Sequence, residues 1–441
     1  MTLALTGATV LTSLHPPRLA RADVVIEGDR VASLGRAPDK LAHRDCSGCL
    51  VVPGNVCAHH HLYSSLARGM PYSLEPPTNF VQILQRVWWR VDRALDEGSV
   101  RASALAGGLD ALLAGTTTIL DHHASPNAID GSLDVIADTL EGLGVRSILC
   151  YEVTDRDGPQ RARAGIDENG RFLKSPRALS AGMGGAHASF TLSEDTLAAC
   201  VDAARDAGAG IHIHVAEDAS DQVDAQARFG RRVVHRLAAA GALGERALLA
   251  HCIHAAPDEA ALIRETGATP VHNPRSNMNN AVGHAPVALL GQRVALGTDG
   301  IDGDMFAEST AGYWRAREAH VAPGADWALQ RLAESARFAG SVLEEPLLGR
   351  IEPGAPADLV VLEYDPPTPL GVDNVAWHWV FGLSARHVRD VLVAGEIVVS
   401  DRVSTRVDRG EAASTCNSEA ERLWARLDDM EVHPFRPAGA A

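Results

Sequence analysis

Residues 49–61 read CLVVPGNVCAHHH, an apolar run broken at Pro53-Gly54 that resumes and ends in three consecutive histidines. Proline followed by glycine punctuates a chain, so one strand closes at this break and another opens after it. Residues i and i+2 of a strand share a face about 6.6 Å apart, which turns the imidazoles of His59 and His61 toward one point and His60 away from it. Seven further apolar runs follow: GTTTILDHH (115–123), VRSILCYEV (145–153), LSAGMGGAHAS (179–189), AGIHIHVAE (209–217), ALLAHCIH (247–254), ATPVHNP (268–274) and RVALGTDG (293–300). The segments between them are rich in Ala, Leu and Arg at helical period, and strands alternating with helices make a parallel sheet. Eight such strands in succession predict an α/β fold, a closed (β/α)8 TIM barrel over residues 53–351. Nearly every run ends in His, Asp or Glu on its C-terminal side, where barrel enzymes carry their chemistry.

The flanks have a different texture. Short alternating runs, LALTGATVLT and ADVVIEGDRVASLG, open the chain, with a hairpin turn at Glu27-Gly28-Asp29. The same pattern returns in ADLVVLEYD (357–365) and in VRDVLVAGEIVVSD (388–401), which turns at Gly395. Residues 1–52 and 352–441 are therefore expected to form one small β-sandwich from both chain ends, with EYDPPTPLGVD (363–373) as a connector to a last helix or tail. A chain of 441 residues exceeds the roughly 250 at which a single core stops growing, which fits a large and a small domain.

Composition narrows the function classes. Apolar residues at 46% and charged residues at 22% are ordinary for a globular protein. No run approaches the ~18 apolar residues of a membrane helix, and the opening MTLALTGATVLTSLHPP lacks the basic and apolar regions of a signal peptide, so a cytoplasmic protein is expected. A net charge of −16 argues against nucleic acid, whose binding needs Lys and Arg to neutralise phosphates. Seven scattered cysteines without a signal read as reduced thiols, and the C-x-x-C at Cys46 and Cys49 lacks the second pair a zinc site needs.

Two histidines alone are as well explained as hydrogen-bonded core residues. His214, ending IHIHV, and Asp299, in GTDG, change the balance because each closes a predicted strand. Three imidazoles and a carboxylate suit a zinc-like ion and leave a position open for water. Zinc lowers the pKa of water from ~15.7 to ~7, making hydroxide available in neutral solution. Glu217, three residues past His214, is placed to shuttle a proton, although an isolated carboxylate there would serve equally as a helix N-terminal charge. His251, ending ALLAH, can orient or deprotonate the water, while His212 lies one layer deeper and reads as core. The only lysines are Lys40 and Lys174. Neither ends a barrel strand, so no carboxylated lysine can bridge two metals, and one divalent ion per chain is expected, zinc first and iron second.

PGNVCAHHH, HIHVAED, AHCIH, VHNPRSNMNN and ALGTDG, in this order, resemble the mononuclear aminohydrolase branch of the amidohydrolase superfamily, which includes cytosine, guanine and 8-oxoguanine deaminases and triazine hydrolases. VWWRVDRALDE (87–97), DHHASP (121–126), SNMNN (276–280) and GTDGIDGDMF (297–306) extend the likeness to the SsnA-type aminohydrolases associated with selenium metabolism. The resemblance implies that His59, His61, His214 and Asp299 are metal ligands, Glu217 the proton shuttle and His251 the water-orienting histidine, with Asp299 also taking a proton from the attacking water. The sequence departs from its relatives at His254 and the small Ala255-Ala256, where bulkier residues are common.

Tyr63 and Arg68, in HHHLYSSLAR on the first βα loop, resemble the 8-oxoguanine deaminase loop, and Arg68 is expected either to grip a substrate carbonyl or to pair with a structural carboxylate. His123, His187 and His272 with Asn273 end barrel strands and are expected to line the substrate space. Asn277 and Asn279 read as supports for the ligands. Trp88 and Trp89, adjacent on a helix, are expected not to share the pocket. Three functions fit these residues: deamination of an amino-substituted nitrogen heterocycle, hydrolysis of a ring amide or C–Cl bond, and metal binding without turnover in a selenium or molybdenum pathway. Intact proton-transfer groups favour an enzyme, and a homodimer is the commonest closed assembly.

Overall fold

The computed structural model describes residues 2–300, 302–321 and 323–439. Eight parallel strands form the barrel: Asn55–His61, Thr116–His123, Arg146–Tyr151, Gly184–Ala188, Ile211–Val215, Leu248–His251, Thr269–His272 and the short Ala295–Leu296. The last continues as Asp299–Gly300, which pairs with the first strand. Hydrogen bonding divides them into two five-stranded parallel sheets, and two continuous segments join the halves. Ser180–Gly182 pairs with the third strand and runs on into the fourth, where His187 N donates to Val153 O at 2.9 Å. At the other seam Gly297 N donates to His272 O at 3.1 Å and Thr298 N to His59 O at 3.0 Å. The ring closes there because residue 297 has no side chain: a Cβ would stand 2.7 Å from both the backbone N and O of His59.

The first strand is rephased just before the histidines. Its register shifts between Cys57, opposite Ile119, and His60, opposite Asp121, and such bulges re-aim side chains beside active sites. His59 and His61 consequently face the barrel interior, whereas His60 reaches outward to Thr298 Oγ1 at 2.8 Å.

The chain ends build two further sheets. One contains, in order, Arg30–Gly35, Asp23–Glu27, Thr2–Thr6 and Ala42–Asp45, and it turns at Gly28 with φ +62°. The other has seven strands and combines Thr9–Ser13, Arg18–Arg21 and Leu50–Pro53 from the N-terminal side with Leu359–Leu362, Val388–Val393, Glu396–Ser400 and Val403–Ser404 from the C-terminal side. Leu5, Val10, Ile26, Val51, Leu359 and Val361, all buried, fill the space between them. Thr2–Thr6 and Thr9–Ser13 do not pair with each other, since the intervening turn carries the chain from one sheet to the other.

Arg146 on the third barrel strand joins the two parts, giving its guanidinium to Asp358 at 2.6 and 3.2 Å. The C-terminal helices ride on the barrel. Trp379 of Val375–Phe381 stacks on Phe306 at 4.8 Å, and Arg409–Asp428 lies along Glu97–Leu113. No helix among the described residues is long and apolar enough to cross a membrane.

Candidate metal centre and active site

Strand alternation brings His59, His61 and His214 to the mouth of the barrel, and Asp299 meets them from the seam. Asp299 Oδ1 lies 3.0 Å from His59 Nε2 and 3.1 Å from His61 Nε2, and the Nε2 atoms of His61 and His214 are 3.0 Å apart. Backbone acceptors fix the tautomers. His61 Nδ1–H donates to His122 O at 2.6 Å and His214 Nδ1–H to His187 O at 2.8 Å, which leaves each neutral ring a lone pair on Nε2. Two lone pairs and a carboxylate oxygen thus face one another across about 3 Å, an arrangement that repels unless a cation or a proton sits among them. A divalent ion fits this donor set of imidazole nitrogens and carboxylate oxygen.

The charge state tells the same story. Burial would push the Asp299 carboxyl up, yet hydrogen bonds from His59 and His61 outweigh it and hold Asp299 well below the usual range. Burial would lower His61, but Asp299 raises it to about 9. Without an ion the centre therefore draws in a proton. Asp299 (φ +58°) and His251 (φ +71°) both adopt left-handed backbone conformations, which Asp and His enter more readily than most side chains.

His251 and Glu217 stand beside this cluster. Asn277 Oδ1 accepts from His251 Nδ1–H at 2.9 Å, so Nε2 is turned toward Glu217 Oε2 at 3.5 Å and Asp299 Oδ1 at 3.8 Å. Ser276 Oγ donates to Asp299 Oδ2 at 2.5 Å, and Asn280 Nδ2 to Glu217 Oε1 at 3.4 Å. Burial, reinforced by the Asp299 charge, pushes Glu217 up to about 7, the range in which a carboxyl both gives and takes a proton at neutral pH.

Donor atoms within 4.8 Å of one another include two overlapping sets, His59, His214, His251 and Asp299 in one and His61, His122, Glu152 and His214 in the other, so His61 belongs to the second set and His251 to the first. His122 Nδ1 faces Glu152 Oε2 at 3.0 Å and its Nε2 faces the His212 carbonyl at 3.1 Å. Both ring nitrogens of His122 are thus directed at oxygen atoms of the protein rather than at the cavity.

The cluster opens into a cavity of about 240 Å³ whose floor is His61, His214 and Asp299, with Glu217 beside them and Phe80, Leu84, Trp88, Trp89 and Phe190 as an apolar wall. Residues 50–398 match the Amidohydrolase family. The chain belongs to the amidohydrolase family. Among the relatives of this amidohydrolase, a 5-methylthioadenosine/S-adenosylhomocysteine deaminase of Nitratidesulfovibrio vulgaris (strain Miyazaki F) is 32% identical, with 90% of each chain covered. A 5'-deoxyadenosine deaminase of Methanosarcina mazei is 28% identical over 93% of this chain and 95% of its own. An adenosine deaminase of Xanthomonas campestris with bound zinc superposes with a TM-score of 0.82 at 22% identity, covering 96% of this chain and 98% of that one. Atrazine chlorohydrolase TrzN of Arthrobacter aurescens TC1, complexed with zinc, gives 0.81 at 21% identity, with coverages of 95% and 100%. The chain is a hydrolase, and its histidine and aspartate cluster is a candidate site for a divalent metal.

The other residues singled out in the sequence fall in different places. Tyr63 and His187 line the cavity of this amidohydrolase. His123 and His272 do not, because alternation points them the other way: His122 and Asn273 take the inward positions, while His123 bonds Ser125 Oγ at 2.8 Å and His272 faces His284 at 5.7 Å. Arg68 pairs with Asp110 at 2.8 Å outside the cavity lining, the structural-carboxylate alternative. Trp88 and Trp89 both line the cavity, contrary to expectation, at the end of a π-helical turn that spans Leu84–Trp88. Glu152 was missed, although it follows the third strand with the parity of Cys150 and faces His187 Nε2 at 3.8 Å. Arg275, in the cavity lining, was also missed.

Proposed function

We propose that this amidohydrolase is an aminohydrolase that holds one divalent ion, zinc in the first instance, on His59, His61, His214 and Asp299 and releases ammonia from the amino-substituted ring of an adenosine-type nucleoside. The observation that carries this reading is the convergence of the four ligand atoms with Glu217 and His251 on one side of them. A divalent ion there supplies Lewis acidity and makes hydroxide available near neutral pH. His251 Nε2 and the Asp299 carboxylate receive the proton of the attacking water. Glu217 delivers its proton to the ring nitrogen next to the carbon under attack and regains one from the added hydroxyl as the ring carbonyl forms, while the proton taken up by His251 or Asp299 passes to the departing amino group. Water and the amine thus become a ring carbonyl and ammonia.

Two features support a neutral nucleoside as substrate. The relatives are named for deamination of 5'-deoxyadenosine and of 5-methylthioadenosine and S-adenosylhomocysteine, the first two of which are uncharged nucleosides. The charged residues of the lining, histidines aside, are Glu152, Glu217, Asp221, Asp299, Asp302 and a single arginine, Arg275. That arginine is already committed, its Nε to Glu308 and its Nη1 and Nη2 to Asp302 at 3.0 and 2.7 Å. A phosphate or carboxylate on the substrate would meet acidic neighbours and no open cation among the described lining residues. Ammonia release from 5'-deoxyadenosine, 5-methylthioadenosine, S-adenosylhomocysteine, adenosine monophosphate, cytosine and guanine tests the proposal. Turnover of the uncharged nucleosides well above the monophosphate is expected, and turnover confined to cytosine, guanine or a ring amide would overturn it.

A further inference from the structure

His212 is buried, as its place one layer below His214 predicts, but it does more than fill the core. Among the proposed ligands, His61 and His214 each donate Nδ1–H to a backbone carbonyl, an acceptor that fixes the tautomer by itself. His59 is held differently. Its Nδ1 points away from the centre and meets His212 Nε2 at 2.8 Å, with the two rings inclined at 69°. An imidazole nitrogen donates or accepts according to where its ring keeps the proton, so this contact has two possible directions.

The next two contacts choose between them. His212 Nδ1 faces Cys150 Sγ at 3.7 Å, and Cys150 Sγ donates to Asp121 O at 3.7 Å. His59, His212 and Cys150 are each at most 1% exposed, so all of this lies away from solvent. A carbonyl oxygen can only accept. One polarity therefore uses every contact: Cys150 gives its S–H to Asp121 O and accepts from His212 Nδ1–H, and His212 Nε2 accepts from His59 Nδ1–H. His59 Nε2 then keeps a lone pair on the side where Asp299 Oδ1 stands 3.0 Å away. The opposite polarity would put the proton on His59 Nε2 and take that ring out of the ligand set.

We infer that His212 is a positioning residue for the metal centre: its Nε2 accepts the Nδ1–H of His59 and so fixes the tautomer and plane of that ring, with Cys150 setting the tautomer of His212 in turn. The inference rests on the reading of His59 as a ligand. His212→Met keeps bulk and removes the acceptor, whereas His212→Gln returns an acceptor oxygen near the place of Nε2. Zinc affinity, measured by chelator competition on metal-depleted protein, should fall about 10- to 100-fold in His212→Met and stay within a few-fold of wild type in His212→Gln. Cobalt-substituted His212→Met should show a shifted visible absorption, as its His59 ligand turns, and cobalt-substituted His212→Gln should match wild type. Equal zinc affinity in wild type and His212→Met would overturn the role. An equal loss in His212→Met and His212→Gln would overturn it too, marking His212 as packing alone. Nitrogen NMR of histidine-labelled, zinc-loaded wild type needs no variant and should find His212 protonated on Nδ1 and bare on Nε2; a proton on His212 Nε2 would overturn the inference. Wild type that binds no zinc would overturn the metal centre itself, and this role with it.

Discussion

The proposed reaction asks Asp299 to do two things at once, hold an ion and take a proton. One oxygen faces His59 and His61, while the other accepts from Ser276 at 2.5 Å, so the carboxylate cannot rotate away. Asp299→Ala should lose both zinc and turnover, which metal analysis and ammonia release would show together; full zinc retention with normal turnover would remove Asp299 from the centre. Glu217→Gln preserves shape but cannot carry a proton, and kcat should fall by roughly 10²–10⁴ at unchanged zinc content. Its titration gives a second test in the metal-free protein. A carboxyl raised from 4.5 to about 7 by burial is protonated in the folded state at pH values where the unfolded chain has ionised. Stability is therefore lost as pH rises from 4.5 toward 7 and stays lost above it. Glu217→Gln should melt at the same temperature as wild type near pH 4 and higher than wild type at pH 8. An equal shift at both pH values would contradict the raised pKa.

Elements explain which residues were legible in the sequence. His59, His61, His214, Glu217, His251 and Asp299 could be read because each closes or follows an apolar run, and the end of a run is visible without coordinates. Parity within a run is less visible. At the second and seventh strands two polar residues stand side by side, and nothing local says whether His122 or His123, His272 or Asn273, turns inward. The π-turn at Leu84–Trp88 breaks the 3.6-residue period on which the reading of Trp88 and Trp89 relied. Arg275 and Ser276 were hidden for another reason, since their partners Glu308, Asp302 and Asp299 lie more than twenty residues away. The seam at Gly297 yields a prediction of its own. A Cβ there would strike the His59 backbone at 2.7 Å, so Gly297→Ala should displace the first strand and weaken zinc binding together with stability. Zinc affinity and thermal midpoint equal to wild type would show that the strand yields without cost.

At the scale of the whole molecule, the β-rich flanks and the eight-strand rhythm were readable from pattern, but the path of the C-terminal segment was not. Its docking on the barrel depends on Arg90, Arg93 and Gln85, some 350 residues earlier, for which sequence order gives no hint. The buried pair of Arg146 and Asp358 couples the barrel to the sheets of the chain ends. Arg146→Leu would leave Asp358 buried without its partner and should cost about 3–5 kcal/mol, seen as a lower denaturant midpoint. A midpoint unchanged from wild type would mean that the two parts are held together by apolar contact alone. The central claim is a hydrolytic deamination, and the most direct measurement is the yield of ammonia and of 6-oxopurine nucleoside when zinc-loaded protein acts on 5'-deoxyadenosine. Equal amounts of the two products, formed at least about a hundredfold more slowly with Glu217→Gln and absent after zinc removal, are the predicted result. Loss of the nucleoside without ammonia, or ammonia release indifferent to zinc, would contradict the account.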